Sequence, residues 1–139
     1  MQSYSVYFAN YSIGTDVYEQ VPEVCGGFGK RILLIGGEKA LKAAEHLLRA
    51  AIADSGLEIA DTVLFGEDCT YLNIHRWAEY ARVCKADMIF GMGGGKVLDT
   101  AKGAAYQAGI PVFTFPTIAA TCAATTALSV VYKEDGNFD

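Results

Sequence analysis

Gly91-Met92-Gly93-Gly94-Gly95-Lys96-Val97-Leu98-Asp99-Thr100 carries an apolar run into three consecutive glycines and out again into residues with helical spacing. The run at 88–92 is short and continuous, as expected of a strand buried on both faces. Three glycines in a row leave the backbone bare, so amide N–H groups can close on a pyrophosphate at the helix N-terminus, where the macrodipole favours negative charge. Lys96 adds a full positive charge. The alternative is a tight strand-to-helix turn with no ligand, a structure that seldom needs three glycines.

Outward from this turn the same rhythm repeats. Apolar runs at 31–35, 59–65 and 112–115 have the length of buried strands. Residues 39–53 place Leu41, Ala44, Leu47, Leu48, Ala51 and Ile52 near one helical face, and Gly56 closes the segment. Residues 73–85 form the next helix, with Ile74, Trp77, Ala78, Ala81, Val83 and Cys84 as its apolar stripe. Residues 97–107 form a third, rich in alanine and ending at Gly109. Strands alternating with helices predict an α/β fold: a doubly wound, mostly parallel sheet of Rossmann-like type with helices on both sides. Right-handed crossovers put every strand-to-helix turn at one edge of the sheet, which is where ligands of open α/β sheets bind. The tail Glu134-Asp135-Gly136-Asn137 has the composition of a hairpin turn.

The 139 residues match one domain, and 52% hydrophobic content supports a packed core rather than disorder. Eleven basic residues scattered among sixteen acidic ones, for a net charge of -5, leave no basic footprint for nucleic acid. Cys25, Cys69, Cys84 and Cys122 lie too far apart for a zinc site or a redox dithiol, and read as buried thiols. His46 and His75 lack the spacing of a metal pair, so no metal ligand is assigned within the chain. With no basic leader before an apolar stretch and no run of ~18 apolar residues, neither a signal peptide nor a membrane partner is expected, and the location is expected to be cytoplasmic.

Two further turns complete the candidate site. Ile35-Gly36-Gly37-Glu38 ends the first buried strand, and an acid there commonly bonds the ribose hydroxyls of a dinucleotide, favouring NAD over NADP; Glu38 is equally placed as a first-turn acid of the next helix. Phe115-Pro116-Thr117-Ile118-Ala119-Ala120-Thr121-Cys122-Ala123-Ala124-Thr125-Thr126-Ala127-Leu128-Ser129 supplies small side chains that let a ligand approach and hydroxyls that can donate to it.

Together these segments resemble the iron-containing alcohol dehydrogenase superfamily, and within it the glycerol dehydrogenase group, whose motif G-G-G-K-x-x-D-T-A-K matches residues 93–102. The match continues through Pro116-Thr117-Ile118-Ala119 and Ala127-Leu128-Ser129-Val130-Val131-Tyr132. The resemblance implies a dehydroquinate synthase-like N-terminal domain binding NAD, with NADP possible, and a C-terminal helical domain carrying a divalent metal, zinc or iron. It also implies a substrate in the cleft between them. On this basis residues 1–139 are the dinucleotide-binding domain, and the metal-binding domain is expected beyond Asp139. The implied reaction is hydride transfer between an alcohol or polyol and nicotinamide, in a parent enzyme expected to be a homo-oligomer; the isolated chain is expected to be inactive, and none of its residues is assigned a catalytic role.

Carried over by position, Glu38 takes the acidic ribose place, while Gly94, Gly95, Lys96 and Asp99 fall in the pyrophosphate loop. Thr117, Ala120, Thr126, Leu128 and Tyr132 match the remaining nucleotide contacts. Ala120 stands where the family usually has Ser, and Cys122 where glycerol dehydrogenases place an Asp beside the substrate. A neutral thiol does not repel a substrate carboxylate, and a Thr-Cys-Ala-Ala block is similar to a subgroup acting on 2-hydroxy and 2-oxo acids. A hydroxy-acid dehydrogenase is therefore one alternative, and a nucleotide-binding module without chemistry is another.

Overall fold

Two strands flanked by neighbours on both sides form the centre of the sheet. In the computed structural model, which describes residues 11–117, 123–124, 129–135 and 137, these are β1 (Arg31–Gly36) and β3 (Met88–Gly93). With β2 (Glu58–Leu64) and β4 (Val112–Pro116) they make a four-stranded, all-parallel sheet in the order β2-β1-β3-β4. A parallel strand covered by helices on both faces must be apolar at odd and even positions alike, which is why β1 and β3 are continuous apolar runs. Ile32, Leu34, Met88, Phe90 and Met92 point to one face, and Leu33, Ile35 and Ile89 to the other. Each such side chain contributes about 1.5–3 kcal/mol relative to exposure, so these strands anchor the fold.

The helices divide between the faces as a doubly wound sheet requires. Short α1 (Val21–Cys25) and α2 (Glu38–Ile52) cover the first face; α3 (Tyr71–Val83) and α4 (Gly95–Ala108) cover the second. On α2 the buried row is Ala40, Ala44, Leu48 and Ile52, an i, i+4 stripe seated on the sheet. Thr70 caps α3 by accepting from the Asn73 amide at 3.2 Å, and Gly109 ends α4 in the left-handed region at φ 71°.

Several sequence expectations need correction. The runs at 59–65 and 112–115 are strands, but they flank the sheet and are only partly covered; of β2 only Val63 is buried, and Leu64 faces out. Leu47 and Val83, counted in the apolar stripes, are exposed, because the contacting rows run along 40/44/48/52 and 74/78/81. Residues 17–28, unassigned from sequence, form two 3-10 turns around α1, and Tyr18 stacks on Phe115 with ring centroids 5.6 Å apart. The tail does turn, Lys133 N–H donating to Asn137 O at 2.7 Å, but the described bridge partner of Tyr132 is Thr70, and the pairing is parallel. Among the described residues no helix is long and apolar enough to cross a membrane.

Candidate dinucleotide site

β1 and β3 are adjacent, yet the helix after β1 goes to one face and the helix after β3 to the other. This divergence makes the carboxyl ends of the two strands the topological switch point of an open α/β sheet, the place where such folds bind ligands. Both glycine turns meet there: the Gly37 amide donates to Met92 O at 3.1 Å. Gly93 has φ +151°, and a Cβ on it would sit 3.2 Å from Val97 Cγ2, so the turn needs glycine for both conformation and space. Gly94 is the extended N-cap of α4 and has no side chain to cap with. The first intrahelical bond runs from Leu98 N–H to Gly94 O at 3.0 Å, placing the Gly95, Lys96 and Val97 amides ahead of it in a first turn where Lys96 is exposed, Gly95 half-buried and Val97 buried.

A cleft of about 210 Å³ opens over this turn, lined by Phe65, Gly66 and Glu67 from the loop after β2 and by residues 94–97. Its described cation is Lys96, whose Nζ lies 2.7 Å from Asp68 Oδ1. The Asp68 carboxylate holds the Lys96 ammonium above the ordinary lysine range, with a smaller contribution from Tyr132. Glu67 is turned toward Arg76, 3.8 Å away.

One helical turn further in, the side chains become structural. Asp99 and Lys102 form a buried ion pair at 3.0 Å, with side chains 10% and 8% exposed. Lys102 Nζ donates to Ala123 O at 2.8 Å, the Val130 amide donates to Asp99 Oδ2 at 3.1 Å, and Ser129 Oγ donates to Asp99 O at 3.0 Å. The pair thus fastens the residues after β4 to the helix behind the glycine turn. Burial raises the Cys69 thiol beside it, which Thr100 and Lys102 pull the other way.

The predicted residues fall into distinct groups. Gly94, Gly95 and Lys96 share the cleft. Glu38 opens α2 at the end of neighbouring β1, in the first turn of the helix, exposed and paired with Lys42 at 3.0 Å. Thr117 follows β4, its amide 3.4 Å from Gly93 O, and Tyr132 is held by its amide to Cys69 O at 2.8 Å. Asp99 lies near the loop, but its carboxylate is engaged inward. Ala120, Cys122, Thr126 and Leu128 lie outside the described residues. Sequence reading missed Asp68 and the partner role of Lys102; the i, i+3 spacing of Asp99 and Lys102 was a visible signal, whereas nothing local marked Asp68.

The family model for iron-containing alcohol dehydrogenase matches residues 9–138. The chain belongs to that family. It is 37% identical over 129 residues to a glycerol dehydrogenase of Escherichia coli O6:H1, covering 93% of this chain and 35% of that protein. Hydroxycarboxylate dehydrogenase A of Escherichia coli K12 is 40% identical over 106 residues, covering 76% of this chain and 28% of that one. A crystal structure of a probable glycerol dehydrogenase from Sinorhizobium meliloti 1021 superposes with TM-score 0.72 at 30% identity, over 88% of this chain and 32% of that one. An NADH-dependent butanol dehydrogenase A from Thermotoga maritima shares the fold with TM-score 0.84 at 20% identity, over 97% and 39% of the two chains. The chain spans about a third of the length of the curated relatives it matches. Although the family is iron-containing, no three His, Cys, Asp or Glu side chains among the described residues come together in a set able to hold a metal, so these residues do not fit one.

Proposed function

We propose that this chain is the cofactor-binding part of a metal-dependent alcohol or polyol dehydrogenase, seating NAD with its pyrophosphate over the turn between β3 and α4. The observation that carries this reading is the placement of that turn. Bare glycine backbone, first-turn amides and Lys96 face one cleft at the switch point of the sheet. The residues fit the ligand: Gly94 and Gly95 admit close approach, the α4 amides donate to phosphate oxygens, and Lys96 supplies charge. Glu38, at the neighbouring strand end, accepts from the adenosine ribose hydroxyls and disfavours the extra phosphate of NADP. Thr117, next to Gly93 after β4, and Tyr132, tied to the loop after β2, are assigned to the nucleotide by resemblance together with Ala120, Thr126 and Leu128. Asp99 supports the turn from behind.

When bound, the nicotinamide supplies hydride acceptance and donation. In this reading the divalent metal and the alcohol-activating groups belong to the remaining two thirds of the enzyme's length, and the whole is a cytoplasmic homo-oligomer. Cys122 supports a second reading for the substrate. A thiol tolerates a carboxylate-bearing substrate that an aspartate would repel, and one relative at 40% identity is named a hydroxycarboxylate dehydrogenase.

The test is Gly95→Asp, which puts a side chain and a negative charge where the pyrophosphate sits. Titration calorimetry with NADH should show at least a tenfold loss of affinity, about 1.4 kcal/mol, with an unchanged circular dichroism spectrum. Unchanged affinity in a folded variant would remove the assignment.

A further inference from the structure

The Lys96 ammonium on the proposed pyrophosphate cleft already has an anionic partner, the Asp68 carboxylate at 2.7 Å. The two ends of this pair differ in freedom. Lys96 is 66% exposed, on a long side chain at the mouth of the cleft. Asp68 sits in a loop tied down on both sides. Its carbonyl accepts from Nδ2 of buried Asn73 at 2.9 Å, and the next residue's carbonyl accepts from the Tyr132 amide at 2.8 Å. Its neighbour Glu67 is drawn toward Arg76 instead. The Asp68 backbone is therefore anchored and its short side chain, 54% exposed, keeps the carboxylate near the cleft, while the longer Lys96 side chain can swing between that carboxylate and an entering anion.

We propose that Asp68 is an affinity-setting residue of the cofactor site: it competes with the dinucleotide pyrophosphate for Lys96, so that binding requires one ion pair to be exchanged for another. This rests on the dinucleotide reading above and deepens it. An anion entering over Gly94 and Gly95 gains the amides of α4 outright, but gains Lys96 only by displacing Asp68. The cofactor site is thereby held below the affinity its backbone could give, which favours release of the oxidised or reduced cofactor after each turnover. Because the competition concerns phosphate charge alone, it leaves recognition of the nucleoside untouched.

The experiment is a double-mutant cycle on the purified chain with Asp68→Asn, Lys96→Met and the pair, titrated with NADH, ADP and adenosine at low and high salt. Asp68→Asn should tighten NADH and ADP about three- to fivefold, equivalent to about 0.7–1 kcal/mol. Adenosine should not change, and the gain should shrink at about 0.5 M salt. In the Lys96→Met background Asp68→Asn should leave NADH affinity within about 1.5-fold, since the competition no longer exists. Asp68→Ser, which also removes the charge, should repeat the result and guards against a fold defect in one variant. Unchanged or weaker NADH binding by both Asp68 variants overturns the proposal, as does an equal gain in the Lys96→Met background, which would mean direct repulsion. An equal gain for adenosine also overturns it. Failure of the wild-type chain to bind either NADH or ADP overturns the dinucleotide reading itself, an outcome distinct from these.

Discussion

Replacing Lys102 by methionine keeps the length and apolar stem of the side chain and deletes one charge from a buried pair. The Asp99 carboxylate, 10% exposed, then keeps the Val130 amide at 3.1 Å but loses the ammonium at 3.0 Å. Breaking a buried ion pair from one side costs about 3–5 kcal/mol, because the remaining charge stays out of water. The retained amide bond puts the expected loss at the lower end, about 3 kcal/mol. Against a total stability of about 5–15 kcal/mol this is a large share. At about 2–4 °C per kcal/mol for a domain of this size, Tm should fall by about 6–12 °C, read from thermal unfolding by circular dichroism and checked by urea midpoints. The double variant Asp99→Asn with Lys102→Met leaves no stranded charge and should recover part of the loss, the remainder persisting because the Ala123 carbonyl still loses its Lys102 donor at 2.8 Å. A Tm shift under about 2 °C in the single variant would refute the reasoning, because it is the response of a hydrated surface pair.

The Asp87 carboxylate accepts from the Arg31 and Lys30 amides at 2.9 and 2.8 Å, and these bonds hold it below the usual carboxylate range. A depressed folded-state value means stability present above the unfolded-state value of about 3.9 and lost as pH falls through the folded one, so Asp87→Asn should flatten the acid limb of the urea midpoint below about pH 4. Asp61 and Asp135 are lowered too and remain in the variant, so part of the limb should persist; an unaltered limb would remove the assignment. Burial pushes the Cys25 thiol up to about 12 and raises Cys69, so neither should react with a thiol reagent at pH 8 in the native state and both should react in urea. Rapid native labelling of Cys25, mapped by peptide mass, would contradict the packing of α1 on β1.

Much of the frame was legible because its central strands are covered twice. Covering both faces of β1 and β3 forces apolar residues at every position, and this continuous run is visible without knowledge of partners. The same logic misled at β2, where Ile59, Val63 and Leu64 look equally buried in sequence, although the strand flanks the sheet, Val63 alone is fully buried, Ile59 is partly covered and Leu64 is exposed. Flanking or central position is a property of strand order, which no local pattern encodes. Residues 17–28 escaped for a related reason: a five-residue helix is not stable alone, and α1 exists because Val21 and Cys25 dock under β1 and α2. The glycine turn was legible because glycine is required by the backbone itself. Asp68 was not, because its meaning comes from meeting Lys96, 28 positions later, across the carboxyl ends of the sheet.

Site and core share the same residues' neighbours, and this sets what the turn can tolerate. Gly93 closes the most buried strand, lends its carbonyl to the Thr117 amide and lies against Val97, which packs into the core under α4. A side chain at Gly93 would push on Val97 and on the link to β4 at once, so substitutions there should cost stability as well as ligand affinity. Gly95 and Lys96 stand just beyond, where the helix emerges into the cleft, and changes there can alter charge without disturbing β3. The division falls within three residues. Behind it the fold dictates glycine; in front of it, cofactor affinity is set by exposed charges, with Lys96 drawing phosphate in and Asp68 drawing Lys96 away.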